Sequence, residues 1–544
     1  MTGTFIATAS LIFVKILGML YVIPFYAIVG SKGGALYSYA YNIYLIFLGI
    51  SSAGIPSAIS KIISEYNALG YLEAKTRAFN IGKKLISYIS IFMFIILFIF
   101  SKGIATLIIG DLSGGNTIED VSFVIKCVSF AVLIIPHLSV TKGYFQGHKY
   151  ITPSSISNLL EQVIRIFVIL AGSFLTYKIL DSSLTIAVGV AVSGAFFGGL
   201  IAYLYLKKHM NKYKKDLDLD KPLEKDNITN KQIAKKIISY AVPFIIINIV
   251  NSIYSFTDMV LVLRTLTHLG FSASDVEFIT SVISTWGSKI SMIVNSIAIG
   301  MTVTLIPEIV TAFTTKKYKL LNHNLNKALQ IVFYICLPMT VGLSILSTPV
   351  WTIFYNTNPY GGAILKVMIF NALLGNLAMI TNSTLQSCNR FKSVYLTNII
   401  GLFVNAALDV PLMLLFNKLG IGAYYGAIVA SFIGYNISIF MALKLIGNKE
   451  FKLNYKQTFI NVAKMLIPLG IMIITLLTLN NILPFNVYTK AGALILITID
   501  TIVGGIIYLF ISYKMGIMSD ILGKNYINKI LKKLTFGKFQ IKED

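Results

Sequence analysis

The chain has 544 residues, of which 56% are hydrophobic and 12% charged, and its mean hydropathy is +0.77. A soluble domain carries about 25% charged residues, so half that share cannot cover a water-facing surface of this size. A soluble enzyme, a disordered chain and a nucleic-acid binder are thereby excluded, and the formal charge of +24 needs another explanation.

In chain order, apolar runs of about 20 residues or more, enough to cross a hydrocarbon layer of about 30 Å as helices, predict fourteen spans. They cover 5–29, 35–60, 84–109, 121–144, 154–178, 183–206, 237–263, 276–312, 325–347, 363–388, 393–416, 422–445, 457–479 and 489–513. The eighth is too long for one straight span and predicts an extension or an interfacial turn. The fold class is an all-α polytopic membrane protein. The first basic residue is Lys15, and no small-residue cleavage site follows a short apolar run, so the first span reads as a retained helix rather than a signal peptide. Cys127, Cys336 and Cys388 stand singly in apolar stretches and read as packing residues.

Orientation follows from the Lys and Arg residues, which collect on the cytoplasmic side of a membrane. Of the 46 basic residues, 35 fall at one alternate set of connections and the C-terminal tail. The opposite set holds Lys32, Lys102, Lys178, Arg264, Lys418 and Lys490. Both termini are therefore expected in the cytoplasm, and membrane topology accounts for most of the positive charge. The tail places Ile527, Ile530, Leu531 and Leu534 on one helical face among lysines, a pattern suited to an anionic leaflet or to a solvated tail.

Segment 207–236, with ten lysines and five acidic residues, separates two six-span blocks. Thr141–Gln146 ahead of span 5 is echoed 240 residues later by Thr381–Gln386 ahead of span 11, and Asn158 by Asn398. Six spans is an even number, so the second block re-enters the membrane in the same direction and the repeats are parallel. The expected domains are a lobe over 1–206, the linker 207–236, a lobe over 237–445, two additional spans over 446–513 and a basic tail over 514–544.

Ionisable side chains at mid-membrane cost about 2.5–3.5 kcal/mol each, so each one asks for a function. Lys126 and Lys366 lie near span ends, where snorkelling relieves them. Lys15, Arg165 and Lys289 lie deeper and are expected to face a shared polar cavity. Arg165 has two readings, a ligand for an anion or an i,i+4 partner for Glu161. Lys15 and Lys289 have no acidic residue one turn away. Unpaired cations suit phosphate or pyrophosphate. Asp258 in span 7, with Asn405 and Asp409 in span 11, forms a hard-oxygen set suited to Na⁺ or a proton; the alternative is that Asp258 pairs with Arg264. The chain contains no H-E-x-x-H, nucleotide-binding loop or other catalytic constellation, and it implies no cofactor beyond a coupling cation.

Fourteen spans, two parallel repeats and a cationic first half resemble the multidrug/oligosaccharidyl-lipid/polysaccharide exporter superfamily. Within it the chain is similar to the lipid II flippases of the MurJ type and to stage V sporulation protein B-like members. The resemblance is carried by Phe13-Val-Lys15-Ile-Leu-Gly18, by Lys289 followed by Ile306-Pro307, by Ser52–Ser60 through Glu65-Tyr66, and by Asn405 with Asp409. The family's second cation in span 1 falls at Tyr21 here, and its span 2 arginine has no counterpart before Ser52.

The resemblance implies a transporter rather than an enzyme, located in the bacterial cytoplasmic membrane. It implies alternating-access export of undecaprenyl-pyrophosphate-linked peptidoglycan precursor, with Lys15, Lys289 and Arg165 at the substrate and Na⁺ or H⁺ at Asp258, Asn405 and Asp409. Its partners would be that anionic lipid-linked oligosaccharide, membrane lipids and the cell-wall synthesis machinery. The alternatives are a flippase for another lipid-linked glycan or a multidrug/cation antiporter, and a transporter of the latter kind is expected to line its cavity with acidic residues instead.

Overall fold

The computed structural model describes residues 10, 13–52, 54–213, 217, 227–447 and 453–523, with backbone alone at 51, 52 and 297–306. The expected tail helix over 527–534 lies outside the described residues, as do 214–216 and 218–226 of the charged connection. Among the described residues every regular element is helical. The first part contains α1 (13–20), α2 (Val22–Ser52), α3 (Ile55–Leu69), α4 (Leu72–Ile99), α5 (Ser101–Ile109), α6 (Ile118–Gly147), α7 (Ile151–Phe167) and α8 (Leu184–Lys212). Two π-helical turns, Val168–Gly172 and Leu175–Ile179, continue α7. Next come α9 (Asn230–His268), α10 (Ala273–Ser281), α11 (Gly287–Thr314), α12 (Tyr318–Ile345), α13 (Ser347–Tyr355) and α14 (Pro359–Met368). The chain continues with α15 (Phe370–Ser387), α16 (Phe391–Lys418), α17 (Tyr424–Ile446), α18 (Lys456–Ile482), α19 (Lys490–Lys514) and α20 (Ile517–Leu522).

Among the described residues, twelve segments are long and apolar enough to cross a membrane. The first, Phe13–Leu69, has 57 residues; as one straight helix it would run about 85 Å, nearly three hydrocarbon thicknesses. Gly30 breaks it, with φ 66° and ψ −168°, a conformation open to glycine and costly for other residues. The chain folds back there. The hydroxyls of Tyr21 and Tyr37 lie 3.4 Å apart, whereas sixteen residues of continuous helix would separate them by about 24 Å. This segment thus holds two of the spans expected from sequence. The overlong eighth span is residues 273–314, where a π-helical turn at Val282–Trp286 joins α10 to α11. With these two features the structure is consistent with fourteen spans.

Local chemistry sets several helix starts. Thr117 caps α6 by accepting from the Asp120 amide while Asp120 accepts from the Thr117 amide, and Thr229 with Gln232 repeats this reciprocal box at α9. Interior packing depends on small residues, because lipid supplies no hydrophobic drive between helices. A side chain at Gly143 of α6 would meet the Pro56 backbone of α3. On α8, a Cβ at Gly198 would fall on the Glu161 carbonyl and one at Gly194 would lie 2.8 Å from the Arg165 carbonyl. The Gly194-x-x-x-Gly198 spacing therefore seats α8 against the stretch of α7 that carries Glu161 and Arg165.

The chain divides into two compact units, Met1–Lys289 with Asn405–Ala427, and Ile290–Val404 with Ile428–Asp544. The three cuts fall inside α11, α16 and α17. In the first unit α6 is the central helix, packed on α2, α3, α4 and α8. In the second, α12 packs on α15 and α18, and α18 on α19, around Tyr334, Met465, Met472 and Tyr508. There Asn382 and Asn398 exchange side-chain amide bonds of 3.2 and 3.1 Å, joining α15 to α16 at the repeated motif.

Gly198→Ala should destabilise the protein by about 1–3 kcal/mol, because the added methyl would push against the Glu161 carbonyl and the backbone and Cβ of Arg165. Gly470→Ala in α18 meets nothing within 4 Å and should be neutral or slightly stabilising, given alanine's roughly 1 kcal/mol helix advantage. Thermal unfolding in detergent compares the two.

Candidate functional site

The first unit contains every site residue expected from sequence: Lys15, Arg165, Asp258, Lys289, Asn405 and Asp409. Its organising surface is the face of α2 that carries Tyr37, Ser38, Tyr41, Asn42 and Tyr44. The π-helical turn after α10 presents consecutive side chains to that face. Ser38 Oγ lies 2.7 Å from Thr285 Oγ1 and 3.1 Å from Ser284 Oγ, and Asn42 Nδ2 donates to Thr285 Oγ1 at 2.9 Å. The Trp286 ring stacks on Tyr37 at 5.8 Å and meets Tyr26 edge-on. One turn further, Lys289 Nζ lies 4.7 Å from the Tyr41 ring centroid and 5.8 Å from that of Tyr21.

Lys289 thus rests on aromatic faces, which offset part of its desolvation without supplying a counter-charge. Tyr21, where the family pattern has a cation, forms one of those faces. Lys15 is half-buried on α1 and has no ion pair among the described residues. Its helix lies against α7, since a Cβ at Gly18 would stand 3.2 Å from Gln162 Nε2.

Arg165 is paired. Its Nη2 donates to Glu161 Oε1 at 2.5 Å, and Lys142 Nζ from α6 donates to Glu161 Oε2 at 2.8 Å. Of the two sequence readings of Arg165, the i,i+4 pair with Glu161 forms, and the guanidinium also lines a cavity. That cavity is small, about 10 Å³ or the room of a single water, and is bounded by Tyr37, Tyr41, Tyr44, Arg165 and the apolar side of α6, α8 and the first π-helical turn after α7. Within it Arg165 Nε and the Tyr44 hydroxyl have no hydrogen-bond partner among the described residues. From Lys142 through Glu161, Arg165 and Tyr41 to Lys289 the polar groups form one continuous wall, with three cations and one carboxylate.

Asp258, Asn405 and Asp409 converge as a second, separate set. Asn405 Nδ2 donates to Asp258 Oδ1 at 2.6 Å and to Asp409 Oδ2 at 3.2 Å. Asp258 is 7% exposed, and Asn405 and Asp409 are fully buried. Asp409 Oδ1 has no partner among the described residues. Two buried carboxylates held by one amide need a cation or a proton, and an all-oxygen set with an orphaned oxygen fits Na⁺. Arg264 does not pair with Asp258; it donates to the Leu107 carbonyl at 2.7 Å.

Sequence reasoning passed over Lys142 and the tyrosines. Lys142 stands at the end of the fourth predicted span, where hydropathy fades and a lysine carries no signal of a buried pair. The tyrosine signal was available: Tyr37, Tyr41 and Tyr44, three and four residues apart, mark a single helical face. The Glu65-Tyr66 motif also acquires a role, since Lys236 of α9 lies 2.6 Å from Glu65 Oε1 and 4.9 Å from the Tyr66 ring.

Residues 1–267 match the polysaccharide biosynthesis protein family. The lipid II flippase MurJ of Bacillus subtilis (strain 168) is 32% identical over 537 residues, covering 96% of each chain. Stage V sporulation protein B of the same organism is 23% identical over 408 residues, covering 75% of this chain and 76% of that protein. Among solved structures, a lipid II flippase MurJ in an inward closed conformation aligns with a TM-score of 0.65 at 17% identity, covering 94% of this chain and 99% of that one. An inward-facing multidrug resistance MATE family transporter of the MOP superfamily aligns with a TM-score of 0.63 at 14% identity, covering 80% and 94%. The two structural likenesses show a shared fold.

The contact between α2 and the π-helical turn is testable by cross-linking. With Cys127, Cys336 and Cys388 replaced by alanine, Ser38→Cys with Ser284→Cys should form a disulfide under mild oxidation, because the two hydroxyls are 3.1 Å apart. Peptide mass spectrometry reads the bridge; its absence would contradict the contact.

Proposed function

The chain belongs to the family of MurJ lipid II flippases, and from that premise we propose that it moves lipid II, the undecaprenyl-pyrophosphate-linked peptidoglycan precursor, from the inner to the outer leaflet. It is a multi-pass membrane transporter and not an enzyme. The observation that carries the substrate class is the cationic wall, in which Lys289 has no carboxylate partner among the described residues; Lys15, equally without an ion pair there, lies on α1, which packs against α7. A pyrophosphate supplies the missing counter-charge, while the prenyl tail remains in lipid. Lys15 and Lys289 would hold the pyrophosphate, with Arg165 assisting. A wall of this sign disfavours the cationic drugs that an antiporter exports.

With both termini in the cytoplasm, the headgroup loads from the basic side, and two six-helix lobes, 1–206 and 237–445, exchange access between the two faces. A headgroup with about two negative charges gains roughly 4–5 kcal/mol moving outward across 100 mV, inside negative. The same field returns the empty cationic site. Na⁺ held by Asp258, Asn405 and Asp409 would neutralise their buried carboxylates and assist that return, although the set also suits a proton. Association with the cell-wall synthesis machinery belongs to the same proposal.

Two measurements follow. Charge reversal by Lys15→Glu with Lys289→Glu should abolish flipping of a fluorescent lipid II in proteoliposomes, whereas Lys15→Arg with Lys289→Arg should retain it; flipping that survives reversal overturns the reading. NaCl should raise the melting temperature above its value in choline chloride, and Asp409→Asn should remove that difference. An equal melting temperature in both salts removes sodium from the cycle.

A further inference from the structure

Glu161 is the one carboxylate in the cationic wall, and its two oxygens are divided between two helices: Lys142 of α6 holds Oε2 at 2.8 Å and Arg165 of α7 holds Oε1 at 2.5 Å. We propose that Glu161 is an exchangeable counter-anion, holding Arg165 while the carrier is empty, ceding it to the substrate's pyrophosphate, and remaining bound to Lys142 throughout. This inference rests on the flippase reading above and assigns a positioning residue to it.

Three features support exchange at Arg165 rather than a permanent structural pair. Carboxylate and phosphate oxygens compete for the same charge-assisted donors, and a guanidinium presents five N–H groups in a planar fork. Arg165 uses Nη2 for Glu161 while its Nε has no partner among the described residues, so a second anion can engage before the first one leaves. The Tyr44 hydroxyl, on a side chain 2% exposed, is also without a partner and lines the same cavity. Finally, Lys142 lets Glu161 release Arg165 without becoming a bare buried carboxylate, which would be costly. The backbone of this region is held by Gly194 and Gly198 of α8 against the Arg165 and Glu161 carbonyls, so exchange is confined to side chains.

The consequence is a trade between grip and release. Recapture of Arg165 by Glu161 weakens binding and speeds unloading. Removing the competing carboxylate should therefore tighten binding and slow turnover. Weakening its second partner, Lys142, should do the opposite, because Glu161 then falls wholly on Arg165.

The test uses the full chain in lipid nanodiscs, with a farnesyl pyrophosphate probe for affinity and single-turnover flipping of fluorescent lipid II in proteoliposomes. Glu161→Gln should bind the probe about tenfold more tightly, roughly the value of one charge-assisted bond no longer displaced, and should flip more slowly. Glu161→Asp should return both values toward the parent. Lys142→Gln should bind more weakly, and it decides the matter if Glu161→Gln fails to fold. A folded Glu161→Gln with unchanged or weaker affinity overturns the inference. If Lys15→Glu with Lys289→Glu abolishes probe binding in that same series, the flippase reading stands and the exchange alone has failed. If those lysine substitutions also leave binding unchanged, the flippase reading itself has failed.

Discussion

A charge inside a hydrocarbon layer must be compensated, and much of the first unit is arranged around that requirement. The cations meet it in different ways. Arg165 and Lys142 share a carboxylate, Lys289 lies on the rings of Tyr41 and Tyr21, and Lys15 is half-buried with no ion pair among the described residues. The compensation is graded from full to partial, and the unmet part defines what the site can accept. An anion with more than one charge satisfies it, whereas a cation makes the imbalance worse.

Helix geometry turns this electrostatic demand into a surface. The reversal at Gly30 brings Tyr21 back beside Tyr37, and the π-helical turn at Val282–Trp286 aligns Ser284, Thr285 and Trp286 with α2 before Lys289 reaches Tyr41. The hydroxyl contacts to Ser38 and Asn42 are short but individually modest, near 0.5–1.5 kcal/mol for a typical neutral bond. Such contacts are suited to a face that must hold and also separate. The glycine seats on α8 are different, because the nearest atoms there are the backbone carbonyls of Arg165 and Glu161, which cannot rearrange as a side chain can.

The buried acidic set has the complementary problem. Asp258 and Asp409 repel each other across Asn405 unless a positive charge or a proton joins them. The first unit therefore holds a wall with an excess of positive charge and, apart from it, a buried carboxylate pair.

The primary sequence by itself determined the membrane class, the helical spans, the parallel repeat and the identities of Lys15, Arg165, Lys289, Asp258, Asn405 and Asp409 as charges or partners out of place. These features are legible because hydropathy, charge asymmetry and residue spacing are properties of the linear chain. The i,i+4 relation of Glu161 to Arg165 was legible for the same reason. Tertiary structure decided that Lys142 completes that pair, that Tyr41 and Tyr21 support Lys289, and that Asp258 meets Asn405 rather than Arg264. Each of those outcomes joins residues from different helices, and the choice among partners depends on how close two backbones come. That distance is set by glycine seats, a reversal at Gly30 and a single π-helical turn, whose packing consequences no local periodicity encodes.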